Sequence, residues 1–395
     1  MRRLMKRSKN KMKIVYALED FPKEYSKSIF LAGPTPRDEN VVSWRSDAIK
    51  ALEEAGYDGV VFIPEQQGKT FKDYDVQLEW ETEGLNRADC ILFWVDRQMR
   101  TDFEMIGLTT NVEFGEWFKS GKVVLGFPRD APKNTYLEKK FKELQLPVSY
   151  TLEDTIKNAL DLIGEGAERK DGETYVPAYV FNTPMFQSWY KAQTAVGNEL
   201  RYAKLNYVFT MPKAKKVFMW VLGVHVWIKE EDRIKENEFV LARTDICSAV
   251  LYKPAENFLD TEIVTVKEFR SPASNSKAFI YEVPGGSSIK PEDNIDVIHD
   301  EIKEELGLDI DKNKLEYINS RQLAGTLSSH KSHLYKLELT KEEMEKLKND
   351  KSTHGVAEDT EMTYIKVMTL KEILDSDILD WTNIGMIMTI LNGGY

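Results

Sequence analysis

Between residues 28 and 127, short apolar runs alternate with longer stretches whose apolar positions recur every three or four residues. The runs at 28–33, 59–64, 90–95 and 122–127 have the length and the β-branched and aromatic content of buried strands. Between them, Trp44, Ala48, Ala51 and Leu52 space a helix over 43–55. Val76, Leu78, Trp80, Leu85 and Ala88 space another over 76–88, and a third opens at 110–118. Strand and helix in alternation predict an α/β domain on a parallel sheet, whose ligands gather at the carboxyl ends of the strands. Gly33-Pro34, Pro64-Glu65, Asp96-Arg97 and Phe127-Pro128 stand at those ends.

Beyond residue 130 the pattern changes. Residues 135–144 and 151–162 carry helical periodicity, and 164–172 is a polar, Gly-rich connector. Met185, Phe186, Trp189, Tyr190 and Leu200 predict an amphipathic helix over 184–205 that docks between domains. From Lys216 strands dominate, at 217–228, 237–243, 246–252, 262–269, 278–283, 314–319, 330–338 and 361–367. One helix interrupts them. Ile295, Ile298, Ile302 and Leu306 form its apolar stripe, Asp293 suits its start, and Gly307 suits a left-handed end. Glu301, Glu304 and Glu305, at i, i+3 and i+4, share one polar patch of it. The expected division is a basic flexible tail (1–25), an α/β domain (26–150), a helical and Gly-rich linker (151–183) and a strand-rich second domain (184–395).

A chain of 395 residues exceeds what one core usually serves, which agrees with two domains. The net charge of −11 argues against a general nucleic-acid binder, and the run at 217–228 is too short to span a bilayer. The basic first residues lack the apolar region of a secretory signal. Cys90 and Cys247 offer no disulfide framework, and the five histidines show no zinc spacing. The expected setting is the reducing cytoplasm, with small molecules as partners and neither nucleic acid nor membrane.

Three acids in the first domain invite chemistry. Glu113 lies among Val112, Phe114 and Trp117, where a partly buried carboxylate has a task or a partner. Glu81 reads equally as a solvated helix position. Asp89 precedes a strand, where a cap or turn role is the simpler reading. The acidic helix patch reads either as a wet surface or as a site for Mg²⁺ or Mn²⁺, which take oxygen ligands.

Phe30-Leu-Ala-Gly-Pro-Thr-Pro-Arg37, Ser43-Trp-Arg45, Asp58-Gly-Val-Val-Phe-Ile-Pro-Glu65, Trp80-Glu81, Ala88-Asp89, Thr109-Thr-Asn-Val-Glu-Phe-Gly115 and Ser120-Gly-Lys-Val-Val-Leu-Gly126 together resemble the nucleoside 2-deoxyribosyltransferase-like family. The resemblance spans residues 28–137. It implies a flavodoxin- or Rossmann-like parallel-sheet domain that cleaves or exchanges N-glycosidic bonds. It further implies Glu113 as nucleophile toward the anomeric carbon, and Glu81 as the acid that orients or protonates the base. Gly33, Pro34, Asp89 and Asn111 become substrate-binding candidates. Gly107 stands where those enzymes carry an aspartate. Members of that family commonly share sites between subunits, which implies a homo-oligomer.

Gly286, Glu292, Asp300, Glu301, Ile302, Glu304, Glu305, Gly307 and Leu308 fall on the spacing of the Nudix hydrolase signature, with Asp300 in its arginine position. The resemblance implies an α/β/α sandwich in which Gly286, Glu301, Glu304 and Glu305 hold a divalent metal that activates water against a diphosphate. Glu304 is also carried over as a catalytic group. The runs at 262–270 and 278–286 are similar to the ADP-ribose pyrophosphatase branch, which implies Arg270 on the diphosphate and Glu361 as an additional acid. Two function classes follow. One is a bifunctional nucleotide-processing enzyme acting on ADP-ribose- or NAD-type substrates. The other is a nucleotide-binding sensor, favoured by the departures at Gly107 and Asp300.

Overall fold

The computed structural model describes residues 11–36, 41–66, 74–99, 104–211, 216–288, 292–355 and 362–393. The chain divides into two compact units, residues 1–241 and 242–395. In the first unit six strands pair in parallel: β1 (Lys13–Tyr16), β2 (Ser28–Ala32), β3 (Val60–Ile63), β4 (Cys90–Trp94), β5 (Val123–Gly126) and β6 (Val148–Ser149). Their spatial order is β1-β3-β2-β4-β5-β6. Strand order reverses beside β2, so the crevice at its carboxyl end is where such a sheet receives a ligand.

Each central strand is buried on both faces, which explains its unbroken apolar run. Side chains alternate across the sheet. Ile29, Leu31, Val61 and Leu92 face α1 (Arg45–Glu54) and α5 (Leu152–Ile163) through Ala48, Leu52, Ile156 and Ala159. Phe30, Phe62, Ile91 and Phe93 face α2 (Tyr74–Arg87), α3 (Leu108–Trp117) and α4 (Thr135–Glu143) through Trp80, Leu85, Phe114, Trp117 and Phe141. Each such side chain contributes about 1.5–3 kcal/mol by leaving water.

Three expectations about boundaries change. The tail over 1–25 is not wholly a tail: Lys13–Tyr16 is an edge strand in register with Val60–Ile63, because Ile14-Val-Tyr-Ala17 is a short apolar run in which Val15 and Ala17 are buried. Residues 151–183 are not a loose connector. Helix α5 covers the sheet, and Arg169–Lys170 pairs antiparallel with Glu24–Tyr25. The helix expected over 184–205 ends early: α6 is Pro184–Ala195, and Gly197 (φ +83°) turns the chain into a strand, so Leu200 packs from a sheet. That strand, β7 (Glu199–Met211), pairs with β8 (Lys216–Ile228), and β9 (Arg233–Arg243) completes a three-stranded sheet. These residues cluster with the first unit, because Asn86 donates to the Ala203 carbonyl (3.0 Å) and the Tyr202 hydroxyl (3.3 Å).

The second unit holds a seven-stranded mixed sheet. Its core is β10 (Ile246–Lys253), β11 (Glu262–Glu268), β12 (Ile280–Glu282), β13 (Gly285–Gly286), β14 (Glu316–Gln322), β15 (Lys331–Glu338) and β16 (Thr363–Thr369). Helix α7 (Asn294–Leu306) packs one face through Ile298, Ile302 and Leu306, alongside α8 (Lys341–Asn349). Helix α9 (Trp381–Leu391) packs the other through Ile387 and Ile390. Asp293 is the N-cap of α7 without a side-chain cap bond, and Gly307 closes it at φ +58°.

Candidate functional site

The first unit's site is built where β2 and β3 end. Gly33 lets the end of β2 pass against β4, since a Cβ there would meet the Trp94 carbonyl oxygen at 2.2 Å. The loop behind it is held by Trp44, whose indole N–H donates to the Pro34 carbonyl at 3.1 Å. Beneath lies Arg45, 1% exposed. Its Nε donates to the Leu31 carbonyl (3.0 Å) and its Nη2 to the Gly33 carbonyl (2.9 Å). Its Nη1 reaches Thr35 Oγ1 (3.1 Å) and Glu65 Oε1 (2.5 Å). Ser43 donates to the same Glu65 oxygen at 2.8 Å. One guanidinium thus ties together the ends of two neighbouring strands.

Two carboxylates share this environment. Glu113 lies in the second turn of α3, whose N-cap is Gly107 in the left-handed region (φ +64°). A Cβ on Gly107 would meet Pro34 Cγ at 2.7 Å, so close approach to the Pro34 loop explains a residue without a side chain there. Phe114 and Trp117 turn to the core, whereas Val112 is 72% exposed; Glu113 sits on the flank between them, half-buried. Burial, then the charge of Glu81, push its carboxyl up to about 7, while Arg45 opposes and Glu116 adds to the rise. Glu81, on α2, is also raised by burial. Gln77 donates to its Oε1 at 2.6 Å and, with Arg45, pulls the other way. Like charges in a partly dry site titrate as a pair. The pair therefore holds a proton near neutrality that an exposed pair would have lost.

Folding also carries a pH signature here. The native state keeps the Glu113 proton up to about pH 7, whereas the unfolded chain releases it near the usual 4.5. Between those values the folded form binds more protons, so this contribution lowers stability as pH rises through that window, by roughly 2–3 kcal/mol. Comparing wild type with Glu113→Gln by thermal unfolding is expected to show no difference near pH 4.5 and a more stable variant at pH 8.

The remaining candidates separate. Gly33, Pro34 and Asn111 lie at the strand ends, and Asn111 Oδ1 accepts from Arg97 Nη2. Asp89 does not join them. It precedes β4 at the opposite, amino-end edge of the sheet, 2% exposed and fully engaged. It takes Arg169 Nη1 (2.7 Å) and Nη2 (2.6 Å), the Ser28 hydroxyl (3.0 Å) and the Ala178 amide (2.7 Å). Its expected place among substrate-binding residues is corrected: Asp89 staples residues 169–178 to the sheet. Arg45 was not singled out as a site residue from the sequence. The signal was present, because Arg45, Ala48 and Leu52 form the buried stripe of α1, and an arginine in such a stripe needs an acid.

In the second unit, β13 brings Gly286 against α7. A Cβ on Gly286 would meet Glu301 Oε1 at 2.0 Å, and the Gly285 amide donates to Glu305 Oε2 at 3.1 Å. Two carboxylates thus meet this turn, and carboxylate oxygens are donors of the kind Mg²⁺ accepts when water and substrate complete its shell. Glu304 is exposed, and among the described residues no three acid, histidine or cysteine side chains converge as a metal cluster. Of the three expected ligands, Glu301 and Glu305 meet the Gly285–Gly286 turn. Asp300 meets His299 Nδ1 at 3.1 Å. Arg270 pairs with Glu268 (2.8 Å) and approaches Glu282 (3.8 Å). Glu361 lies outside the described residues. Among those described, no helix is long and apolar enough to cross a membrane.

No curated protein matches the chain. Residues 26–131 match the family model described as nucleoside 2-deoxyribosyltransferase like, and that span contains Gly33, Arg45, Glu81, Asn111 and Glu113.

Proposed function

We propose that the first unit cleaves the N-glycosidic bond of a nucleoside or nucleotide through Glu113. The observation that supports it is the coupled, half-buried pair Glu113 and Glu81 at the strand ends of a domain with that family match. In this reading the ionised Glu113 bonds to C1′ as the C1′–N bond breaks, and the bond pair leaves with the base. Glu81 gives its proton to the departing nitrogen. Water or a second base then takes the sugar from Glu113. The positive charge that develops at C1′ draws the shared proton away from Glu113 and toward Glu81. Base release should therefore be bell-shaped in pH, rising as the pair sheds its first proton and falling about tenfold per pH unit once the second is lost above about 7. A rate independent of pH between 5 and 8 would remove Glu113 from the chemistry. Mass-spectrometric detection of free base, from a panel of nucleosides and nucleotides, tests the reaction itself.

A second activity is supported by the approach of Glu301 and Glu305 to the Gly285–Gly286 turn. We propose hydrolysis of a nucleoside diphosphate derivative of ADP-ribose type in the second unit. Glu301, Glu305 and the Gly286 carbonyl would hold Mg²⁺ or Mn²⁺, which supplies charge neutralisation at the diphosphate and an activated water. Gly285 orients Glu305, and Arg270 stands on β11's extension as an anion contact. With Mg²⁺, ADP-ribose is expected to yield AMP and ribose 5-phosphate. Chelator should abolish this, and Glu301→Gln should lower it by about 10- to 100-fold. Turnover indifferent to both treatments would rule the metal reading out, and tight nucleotide binding without turnover would mark a sensor.

A further inference from the structure

The crevice at the strand ends holds a cation that the glycosidic chemistry does not use. Arg97 follows β4 and is 5% exposed. Its Nη1 donates to the Lys133 carbonyl at 3.2 Å, its Nη2 to Asn111 Oδ1, and its Nε–H is buried with no partner. No carboxylate pairs with it among the described residues. A buried charge without compensation is costly, and the other buried cations of this unit avoid that cost. Arg169 has Asp89, and Arg45 has Glu65. Lys122 donates to the Leu85 (2.7 Å) and Asn86 (2.9 Å) carbonyls at the negative end of α2.

Arg97 is placed the opposite way, against two positive helix ends. Asn111 is in the first turn of α3, and Lys133 directly precedes Asn134, the N-cap of α4. Neither end is capped by a side chain. Gly107 has none, and Asn134 turns its Nδ2 to the Val95 carbonyl (2.9 Å), leaving Oδ1 buried without a partner. The first turn of α3 carries no acid, and Glu138 in that of α4 is bonded to Lys142 and Tyr150, each at 2.5 Å. A guanidinium with an unused donor, beside two uncapped amino ends, is a ready anion site.

We propose that Arg97, with the amino ends of α3 and α4, binds a phosphate carried by the substrate of the Glu113 site. The substrate is then a nucleoside 5′-phosphate rather than a free nucleoside. This rests on the glycosidic reading, because it needs the sugar to lie over Glu113. Arg97 follows β4 and Glu113 lies on the helix after it, so both border the carboxyl ends of the strands, where one substrate would lie.

The test is binding to full-length Glu113→Gln protein, in which turnover cannot intrude. Calorimetric titration would use a panel of nucleosides and their 5′-monophosphates, with inorganic phosphate alone as the arm for a free-anion site. At least one monophosphate is expected to bind 10-fold or more tightly than its nucleoside. Adding Arg97→Ala should erase that margin and leave the nucleoside's affinity unchanged, while Arg97→Lys retains part of it. Should Arg97→Ala fail to fold by circular dichroism, Arg97→Gln and Arg97→Lys carry the same comparison. Phosphate alone raising the melting temperature of the Arg97 protein, and not of the variant, supports the site. Equal affinity for nucleoside and monophosphate, a margin that survives loss of Arg97, or no binding of either overturns it. Wild type that releases no base while the margin stands would instead reject the glycosidic chemistry, so the two failures are distinguishable.

Discussion

Glu113→Gln is expected to abolish release of free base, by about 10³-fold or more, while the protein folds normally. Glutamine keeps the size of the side chain and cannot bond covalently to C1′ as a leaving carboxylate must. The loss should lie in the chemical step, with affinity for the nucleotide retained. The same substitution also removes a carboxyl whose ionisation folding disfavours. A variant both inactive and more stable at pH 8 is the combined outcome, as expected where a site stores unfavourable electrostatics for chemistry. Glu81→Gln should lose less, because protonating the base contributes about 10²–10⁴-fold and easily departing bases need less help. Full base release by Glu113→Gln would end the nucleophile assignment.

Asp89→Ala is expected to have the largest effect on stability. It would leave Arg169 buried with no counter-charge, together with an orphaned Ala178 amide and Ser28 hydroxyl. Breaking a buried pair in this way costs about 3–5 kcal/mol. For a domain of this size that lowers the melting temperature by roughly 10 °C. Removing both charges, with Asp89→Ala and Arg169→Met together, should recover part of the loss, since the uncompensated cation is then gone. Base release per folded molecule should be unchanged at low temperature. Loss of base release without loss of stability would return Asp89 to the substrate-binding residues.

These two acids show how far the sequence could be read. Both stand in short motifs beside apolar runs, and both resemble positions of one family. Glu113 comes to share the environment of Glu81 and Arg45 because α3 starts at the carboxyl ends of the strands. Asp89 does not, because it precedes its strand, and a residue before a parallel strand lies at the edge away from the crevice. The order of residue and strand along the chain already contained that distinction. For the acidic helix the periodicity placed α7 and its left-handed Gly307 correctly. Which of its glutamates turn inward depended on where β13 lies, and only Glu301 and Glu305 are brought to it.

The sequence by itself determined the alternation of strand and helix, the parallel first sheet, the ends at which its loops lie, and the family match over residues 26–131. Apolar periodicity and turn chemistry act over a few residues, so they are legible locally. Only the tertiary structure decided which charges are paired. Arg169 meets Asp89 across 80 residues of chain, and Arg45 reaches Glu65 across 20. Arg97 touches Lys133 across 36 residues and finds no acid among those described. A charged side chain carries the same letter whether solvated, paired or buried alone. What separates those states is the dielectric and the partners around it, and these exist only once distant segments have packed.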